Sequence, residues 1–186
     1  MLTLTQLQTV KTAVLADSTA AAARTAGDSF ALLAWLNGPS ATNLWNSRAP
    51  VNAVLDAISF ATYTANDAIG VADTTLTYLN RQSLAWVKLT IVQVMTQGRD
   101  VLNAVKANIR QGLRDAVIAL PTGTSGAMQS AGGSNGATVL AACIRLATNT
   151  EAALVGASAT TGTTTAFLPV FEGLCNAEDA AWLINN

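Results

Sequence analysis

Apolar residues recur at helical spacing over most of the chain, and the pattern is strongest between residues 73 and 120. In the first half of this stretch an apolar or small residue follows every three or four positions, and neighbouring apolar residues widen the stripe. The stripe consists of Leu76, Leu79, Ser83, Trp86, Thr90 and Val94, widened by Leu84, Val87 and Ile91. The second half repeats Leu102, Val105, Ile109, Leu113, Val117 and Leu120. We therefore predict two long central helices, broken near Gly98, and expect the first to be buried on two sides.

Shorter helices are predicted before and after this pair. Thr5 followed by Gln8 has the spacing of a capping box, and Asp28 stands where it can cap the helix SFALLAWLN. Asn176 takes the same position before the last helix, AEDAAWLIN, whose early acidic residues suit the positive end of the helix dipole. The fold class is thus predicted to be mainly α, with a helical bundle over residues 1–156.

Two stretches lack any hydrophobic period. Residues 121–136 and 158–165 are rich in Gly, Ser, Thr and Ala, which is typical of flexible loops. The segment AFLPVF at residues 166–171 is short, apolar and β-prone, and Pro169 excludes a central ladder position, so it favours an extended or edge strand. We predict an extended C-terminal docking tail over residues 157–186 that ends in a short helix.

Charge is scarce along the whole chain. Charged residues make up 11% of the 186 residues, against roughly 25% in typical soluble domains, and 51% are hydrophobic. The formal net charge of −1 provides no overall field that would recruit nucleic acid. A surface with so little charge suits a subunit whose neighbours cover it, and we expect a homo-oligomer. An Ala-rich monomeric helical domain is the alternative.

The common catalytic and metal-binding patterns are missing from the sequence. There is no histidine, which removes Ser-His-Asp chemistry, histidine acid-base catalysis and His-ligated zinc. Cys143 and Cys175 lack CxxC spacing and are interpreted as reduced structural thiols. The Gly-rich run at residues 123–126 lacks the Gly-Lys-Ser/Thr of a phosphate loop. We predict no enzyme activity, cofactor or metal, and an enzyme that uses carboxylates alone is the least favoured hypothesis.

No targeting or membrane pattern is recognised either. No apolar run reaches the 18 or more residues that a membrane span needs, so no membrane partner is expected. The first residues lack the basic region and apolar core of a secretory leader, and we expect the protein to be intracellular when made.

Arg99, Lys106, Arg110 and Arg114 follow one another at intervals of seven, four and four residues, which places them on one face of the second predicted long helix. Two interpretations stay open for this basic face. It is a solvated face with weak local ion pairs, or it lines a channel or contacts an acidic partner in a ring.

The four tryptophans divide by sequence context. Trp35 and Trp86 lie on apolar helix faces, which predicts core packing. Trp45 lies beside polar residues, and Trp182 lies near the C-terminal residue. Both positions favour a role in an interface, where tryptophan is enriched.

Several stretches together resemble small virion proteins of tailed bacteriophages. They are KANIRQGLRDAVIALPTG from Lys106, RLATNTEAALVGASATTGTTTAFLPVFEG from Arg145, the upstream AWLN at residues 34–37 and the region of residues 45–58. The resemblance covers most of the chain, and its motifs are packing patterns without catalytic signatures. It implies a head-to-tail connector, or adaptor, which is a helical bundle that assembles as a ring, commonly dodecameric, between portal and tail.

The same resemblance implies partners and a location. The partners would be copies of the chain itself, the portal protein, a downstream neck or tail protein, and genomic DNA that passes through the ring without sequence-specific contact. The location would be the neck of the virion, after assembly in the host cytoplasm. The portal-docking residues would be Phe167, Leu168, Val170, Phe171 and Trp182. Alternatives are a tail terminator or head-completion protein, or a small binding module that uses the Arg99–Arg114 face.

Overall fold

The computed structural model describes residues 1–58, 60–63, 78–117 and 132–186, and it shows a mainly α-helical chain with two small sheets. The α-helices in these ranges are α1 (Leu4–Ala16), α2 (Ser18–Thr25), α3 (Ser29–Asn37), α4 (Val51–Asp56), α5 (Tyr78–Thr96), α6 (Ala107–Val117), α7 (Gly132–Ala141), α8 (Asn149–Ala153) and α9 (Ala177–Asn185). A short 3-10 helix covers Phe60–Tyr63. The strands are β1 (Pro39–Trp45), β2 (Ala49–Pro50), β3 (Val101–Leu102), β4 (Ile144–Thr148), β5 (Ser158–Thr161) and β6 (Thr164–Phe167).

The chain forms two compact units. Unit 1 comprises Met1–Leu44, Leu146–Ser158 and Ala166–Asn186, and unit 2 comprises Trp45–Arg145 and Ala159–Thr165. This division differs from the predicted boundary between residues 156 and 157, because the C-terminal residues belong to the same unit as the N-terminal helices.

Capped helices surround the core of unit 1. The capping box of α1 is formed by Thr3 and Gln6, two residues before the predicted pair. The predicted caps at Asp28 and Asn176 are confirmed, since each side chain accepts a hydrogen bond from a backbone N–H of the first turn of its helix. The apolar side chains that these helices bury include Leu7, Val10, Val14, Leu32, Leu36 and Leu183.

The C-terminal residues are part of this core and do not form the predicted extended tail. Ala180 and Leu183 of α9 are fully buried, and α9 packs against α1, α2 and α3. Two hydrogen bonds between Cys175 and Asn37 hold the residues that precede α9. Cys175 N donates to Asn37 Oδ1 (2.8 Å), and Asn37 Nδ2 donates to Cys175 O (3.1 Å). The apolar side of α9 completes the core of unit 1, which is why the segment folds back.

The larger sheet has the strand order β4-β1-β6-β5. Strand β1 pairs in parallel with β6, with Leu44 opposite Phe167. Segment 166–171 was predicted to be an edge or extended strand. Ala166 and Phe167 lie in β6, which has a neighbour on both sides, so these two residues are not at an edge. Pro169 lies beyond the end of the strand, where it removes no ladder hydrogen bond. Residues 158–165, predicted to be a flexible loop, instead form β5 and the start of β6. The chain turns between them at Gly162, whose φ of 63° favours glycine.

Unit 2 is built mainly from helices, with α6 packed against both α5 and α7. The two long central helices are not confirmed as predicted. Helix α5 has 19 residues in the described range, whereas α6 has 11. The residues before α6 form β3, which pairs antiparallel with β2 through Ala49 and Leu102. The spacing of Leu102 and Val105 predicted that the second long helix would include both residues. Leu102 instead pairs with β2, and the helix begins at Ala107.

Some predictions fall on residues outside the described ranges. They include Leu76 and Leu120 of the two predicted apolar stripes and most of the run from residue 121 to 136. The last five residues of that run differ from the prediction of a loop, because α7 begins at Gly132. Strand β4 lies within the helical bundle predicted over residues 1–156 and is not helical.

Candidate functional site

The outward face of α5 is an exposed apolar surface in the described part of unit 2. Trp86, Val87 and Val94 are 67%, 54% and 66% exposed, while Ala85 and Val92 on the opposite side are buried. The stripe predicted to be buried on two sides is therefore buried on one. We call the exposed side, made of Ser83, Trp86, Val87, Thr90 and Val94, the α5 face.

The α5 face carries neither charge nor a free hydroxyl at its centre. Thr90 Oγ1 donates to Trp86 O at 2.9 Å, so this hydroxyl is already bonded within its own helix. Lys88, the charged residue nearest in sequence, donates through Nζ to Asp115 O on α6. A protruding tryptophan among uncharged neighbours is the composition expected of a protein contact surface.

Trp45 lies in the opposite environment from the one predicted. It is fully buried at the end of β1, and its Nε1 donates to Ala159 O at 3.1 Å. The guanidinium carbon of Arg110 lies 5.0 Å from the centre of a Trp45 ring, which is a cation–π contact. Trp45 is thus a core residue. Trp35 and Trp182 are half-buried and pack against the core of unit 1.

Arg110 is a buried structural residue and does not belong to an exposed basic face. It is 6% exposed, and its Nη1 donates to Ala104 O (2.8 Å) and Val105 O (2.6 Å) while Nε donates to Thr161 Oγ1 (3.3 Å). Burial lowers the pKa of the Arg110 guanidinium below its usual range. These contacts hold the turn that precedes α6 against β5 and Trp45.

The remaining cations of the predicted basic face are dispersed. Arg99 and Lys106 are exposed but precede α6, and only Arg114 shares that helix with Arg110. Arg114 is half-buried, and its Nε atom is buried without a hydrogen-bond partner. The four residues therefore do not form one continuous face, because β3 interrupts the helix on which their spacing was read.

The predicted docking residues are mostly turned inwards. Phe167, Leu168, Phe171 and Trp182 are half-buried, whereas Val170 is 60% exposed. Gly156 N donates to Leu168 O at 2.9 Å, and a Cβ added at Gly156 would lie 2.9 Å from the same oxygen. This segment is held closely against residue 156. Leu174, which is 68% exposed and which the sequence analysis missed, lies beyond Val170 along the chain.

A shallow, open groove runs along the exposed side of α1 in unit 1. It has a volume of about 540 Å³, and its lining comes from the exposed side of α1 together with Ala153. We call it the α1 groove and define it by Thr5, Gln8, Thr9, Thr12, Ala13, Ala16 and Ala153. A second cavity of about 490 Å³ shares Gln8 and Thr12 and reaches Lys11 and Trp182. The signal that sequence analysis could have used is the recurrence of Thr and Ala at helical spacing on the polar side of α1.

Similarity to other proteins adds nothing to these surfaces. Comparisons with protein-family models, curated proteins and solved structures find no match. The functional conclusion therefore depends on the geometry and chemistry of the described residues.

The buried thiols show little capacity for nucleophilic chemistry. Cys143 and Cys175 are free and buried. Burial raises the pKa of Cys143 to about 11, and burial also raises the pKa of Cys175, against the lowering effect of its hydrogen bond with Thr150. Both thiols are therefore protonated at neutral pH, where the nucleophilic form is the thiolate.

The described ranges contain neither a metal-binding cluster nor a helix that could cross a membrane. Among these residues no group of three or more His, Cys, Asp or Glu side chains is placed to hold a metal ion. Within the same ranges, no helix combines the length and the apolar character required to cross a membrane.

Proposed function

We propose that this chain is a non-enzymatic structural protein of a tailed-phage virion, a subunit of the ring that connects head and tail. The observation that carries the proposal is the α5 face, which exposes Trp86, Val87 and Val94 on a chain in which 11% of residues are charged. Covering each of these side chains contributes about 1–3 kcal/mol. A surface of this kind favours permanent contact with protein over exposure to water.

The proposed partners follow from the same surfaces and from the virion-protein resemblance. Copies of the chain form the ring, with a dodecamer as the expected size, and the ring sits in the virion neck between the portal and a downstream neck or tail protein. Val170, which belongs to the predicted docking segment, and Leu174, which follows that segment, are exposed and are proposed to contact the portal. Genomic DNA passes through the ring. Of the four predicted basic residues, only Arg99 and Lys106 are exposed enough to face it.

The proposal is tested in a phage that encodes this chain. Mass spectrometry of purified particles should detect the chain, and antibody labelling should place it at the neck in electron micrographs. Disruption of its gene should give filled heads and separate tails that fail to join. Absence of the chain from purified particles would contradict the proposal, and a label at the far end of the neck, next to the tail tube, would favour a tail terminator.

The alternative function, a nucleic-acid-binding module, depends on an exposed basic face that includes Arg110. Arg110 was the centre of the predicted basic face, and the structure buries it against Trp45. Salt-dependent binding of duplex DNA by the purified chain that is lost in Arg99→Glu would favour this module. We expect no such binding at physiological salt, because the two exposed cations of the predicted basic face, Arg99 and Lys106, release too few counterions.

A further inference from the structure

The sequence contains two Asn-Gly pairs, Asn37-Gly38 at the end of α3 and Asn135-Gly136 in α7. This pair is the one most prone to spontaneous deamidation, because glycine has no side chain to keep its backbone nitrogen away from the asparagine side chain. The glycine nitrogen forms a bond to Cγ of the asparagine, and the bond from Cγ to Nδ2 breaks. Ammonia leaves with the proton of the glycine N–H. Water then opens the five-membered ring, which gives aspartate or isoaspartate.

At Asn37 the fold engages both groups that this reaction requires. The side-chain Oδ1 accepts from Cys175 N at 2.8 Å, and Nδ2 donates to Cys175 O at 3.1 Å. The attacking nitrogen, Gly38 N, donates to Trp35 O at 3.0 Å. Three hydrogen bonds must therefore break before Gly38 N can reach Cγ of Asn37.

The same fold requires both residues of this reactive pair. A Cβ added at Gly38 would lie 3.1 Å from Ala34 O and 3.2 Å from Trp35 O, so a larger residue would crowd the end of α3. Asn37 acts as donor and acceptor at once, whereas an ionised aspartate could only accept. The structure therefore retains a chemically labile pair and protects it with hydrogen bonds.

The protecting residue Cys175 belongs to a segment that can open separately. We call residues 173–186 the C-terminal segment. Residues 168–176, which contain neither helix nor strand, connect α9 to β6. Local opening of such a unit costs less free energy than unfolding of the whole chain. Opening frees the side chain of Asn37, and the bond from Gly38 N that remains closes a single turn at a helix end, where fraying is common.

Either product of the reaction would impair the return of the C-terminal segment. A carboxylate at position 37 cannot donate to Cys175 O. Isoaspartate also lengthens the main chain by one carbon, which displaces Gly38 O from Asn149 N, its donor at 2.9 Å. We infer that Asn37-Gly38 is a latent deamidation site that the C-terminal segment protects, and that deamidation makes release of this segment irreversible.

Peptide mapping by mass spectrometry tests the protection in the full chain. The chain is incubated at neutral pH, folded or unfolded in urea, and deamidation is followed at Asn37. Deamidation should be at least about tenfold slower in the folded chain, since each 1.4 kcal/mol of opening free energy lowers the open fraction tenfold. Equal rates in the two samples would overturn the inference.

Helix caps separate release of the C-terminal segment from unfolding of unit 1. Asn176→Ala removes the N-cap of α9 and should accelerate deamidation of Asn37 about fivefold, as expected for the loss of a cap. Asn176→Ser retains a capping oxygen and should restore the slow rate. Asp17→Ala removes the N-cap of α2 in the same unit and is the matched control, which should leave the rate unchanged. Circular dichroism verifies that each variant is folded. Equal acceleration by Asp17→Ala, or none by Asn176→Ala, would overturn protection by the C-terminal segment.

Asn37→Asp reproduces the aspartate product and tests irreversibility. Hydrogen exchange of the amides of α9, followed by mass spectrometry, should become about tenfold faster, because Cys175 O loses its donor. Asn135→Asp makes the same change at the Asn-Gly pair of unit 2 and should leave the exchange of α9 unchanged. Native exchange rates in Asn37→Asp would overturn the inference that release becomes irreversible.

Discussion

Trp45 and Trp86 belong to the same unit but lie in opposite environments. Trp45 is fully buried, with its ring under the Arg110 guanidinium and its Nε1 bonded to a backbone carbonyl. Trp86 is 67% exposed on a helix whose neighbouring outward residues are uncharged. The sequence predicted the reverse, because polar residues lie near Trp45 whereas Trp86 lies on an apolar stripe.

The difference shows what determines whether an aromatic residue of this chain is buried or exposed. A buried tryptophan needs a partner for its N–H, and β5 supplies Ala159 O to Trp45. A stripe of apolar residues shows only that one side of a helix is apolar, and it does not show which other element or molecule packs against that side. In α5 the chain covers one side with α6 and leaves the other exposed. We therefore read the uncovered side as the contact surface for another molecule.

The largest expected contrast is between the two tryptophan truncations. Trp45→Ala removes a fully buried ring and should lower the free energy of unfolding by about 3–5 kcal/mol. Trp86→Ala should change it by no more than about 0.5 kcal/mol, as is usual for exposed positions. Chemical denaturation followed by circular dichroism measures both. Equal losses in the two variants would show that the α5 face is covered within the single chain.

The next contrast separates two arginines. Arg110→Met leaves the carbonyls of Ala104 and Val105 without their donor and should cost about 2–4 kcal/mol. Arg99→Met is the matched control at an exposed position and should cost less than about 0.5 kcal/mol. Denaturant titrations of the two variants provide the comparison. A neutral Arg110→Met would mean that the guanidinium contributes nothing to the position of Trp45.

Tyr63 extends the comparison to a third aromatic residue of unit 2. It is 7% exposed, its hydroxyl donates to Ala116 O at 2.9 Å, and burial raises the pKa of the phenol to about 12. The unfolded chain releases this proton near pH 10, so between about pH 10 and 12 the folded state binds more protons than the unfolded state. The free energy of unfolding should therefore fall as pH rises through this window, by at most about 2–3 kcal/mol from this residue.

Tyr63→Phe is the control for that pH dependence. It should lower stability at pH 7 by about 1 kcal/mol, because Ala116 O loses its donor. Between pH 10 and 12 its stability should fall less steeply than that of the native chain. The contribution of Cys143, whose pKa is also raised by burial, is present in both chains and cancels in the difference. Parallel curves for the two chains would contradict the assignment.

Local sequence signals were sufficient to predict where several helices begin. Asp28 and Asn176 cap their helices as predicted because a capping side chain bonds within its own first turn. The mainly α fold class was likewise predictable from the helical period.

Long-range pairing could not be predicted in the same way. The residues 144–148 continue the apolar character of α7, yet they form β4, because β1 lies beside them in the sheet. Arg110 follows Lys106 at a helical interval, but its orientation depends on Trp45 and Thr161, which are distant in sequence. The α5 face was visible as a stripe, whereas its exposure depends on where the chain places its other helices.

The smallest effect is spectroscopic and concerns the same two tryptophans. Acrylamide quenches exposed indoles more efficiently than buried ones, so Trp86→Phe should remove the most readily quenched fraction of the fluorescence of the dilute chain. Trp45→Phe should remove a weakly quenched fraction, because its ring is fully buried. Raising the protein concentration should then protect Trp86 in the native chain but leave the Trp45 signal unchanged, since the proposed function brings copies into contact and only Trp86 of the two is exposed. If the quenching of Trp86 were independent of concentration up to the highest soluble level, the α5 face would have to be covered by a different protein.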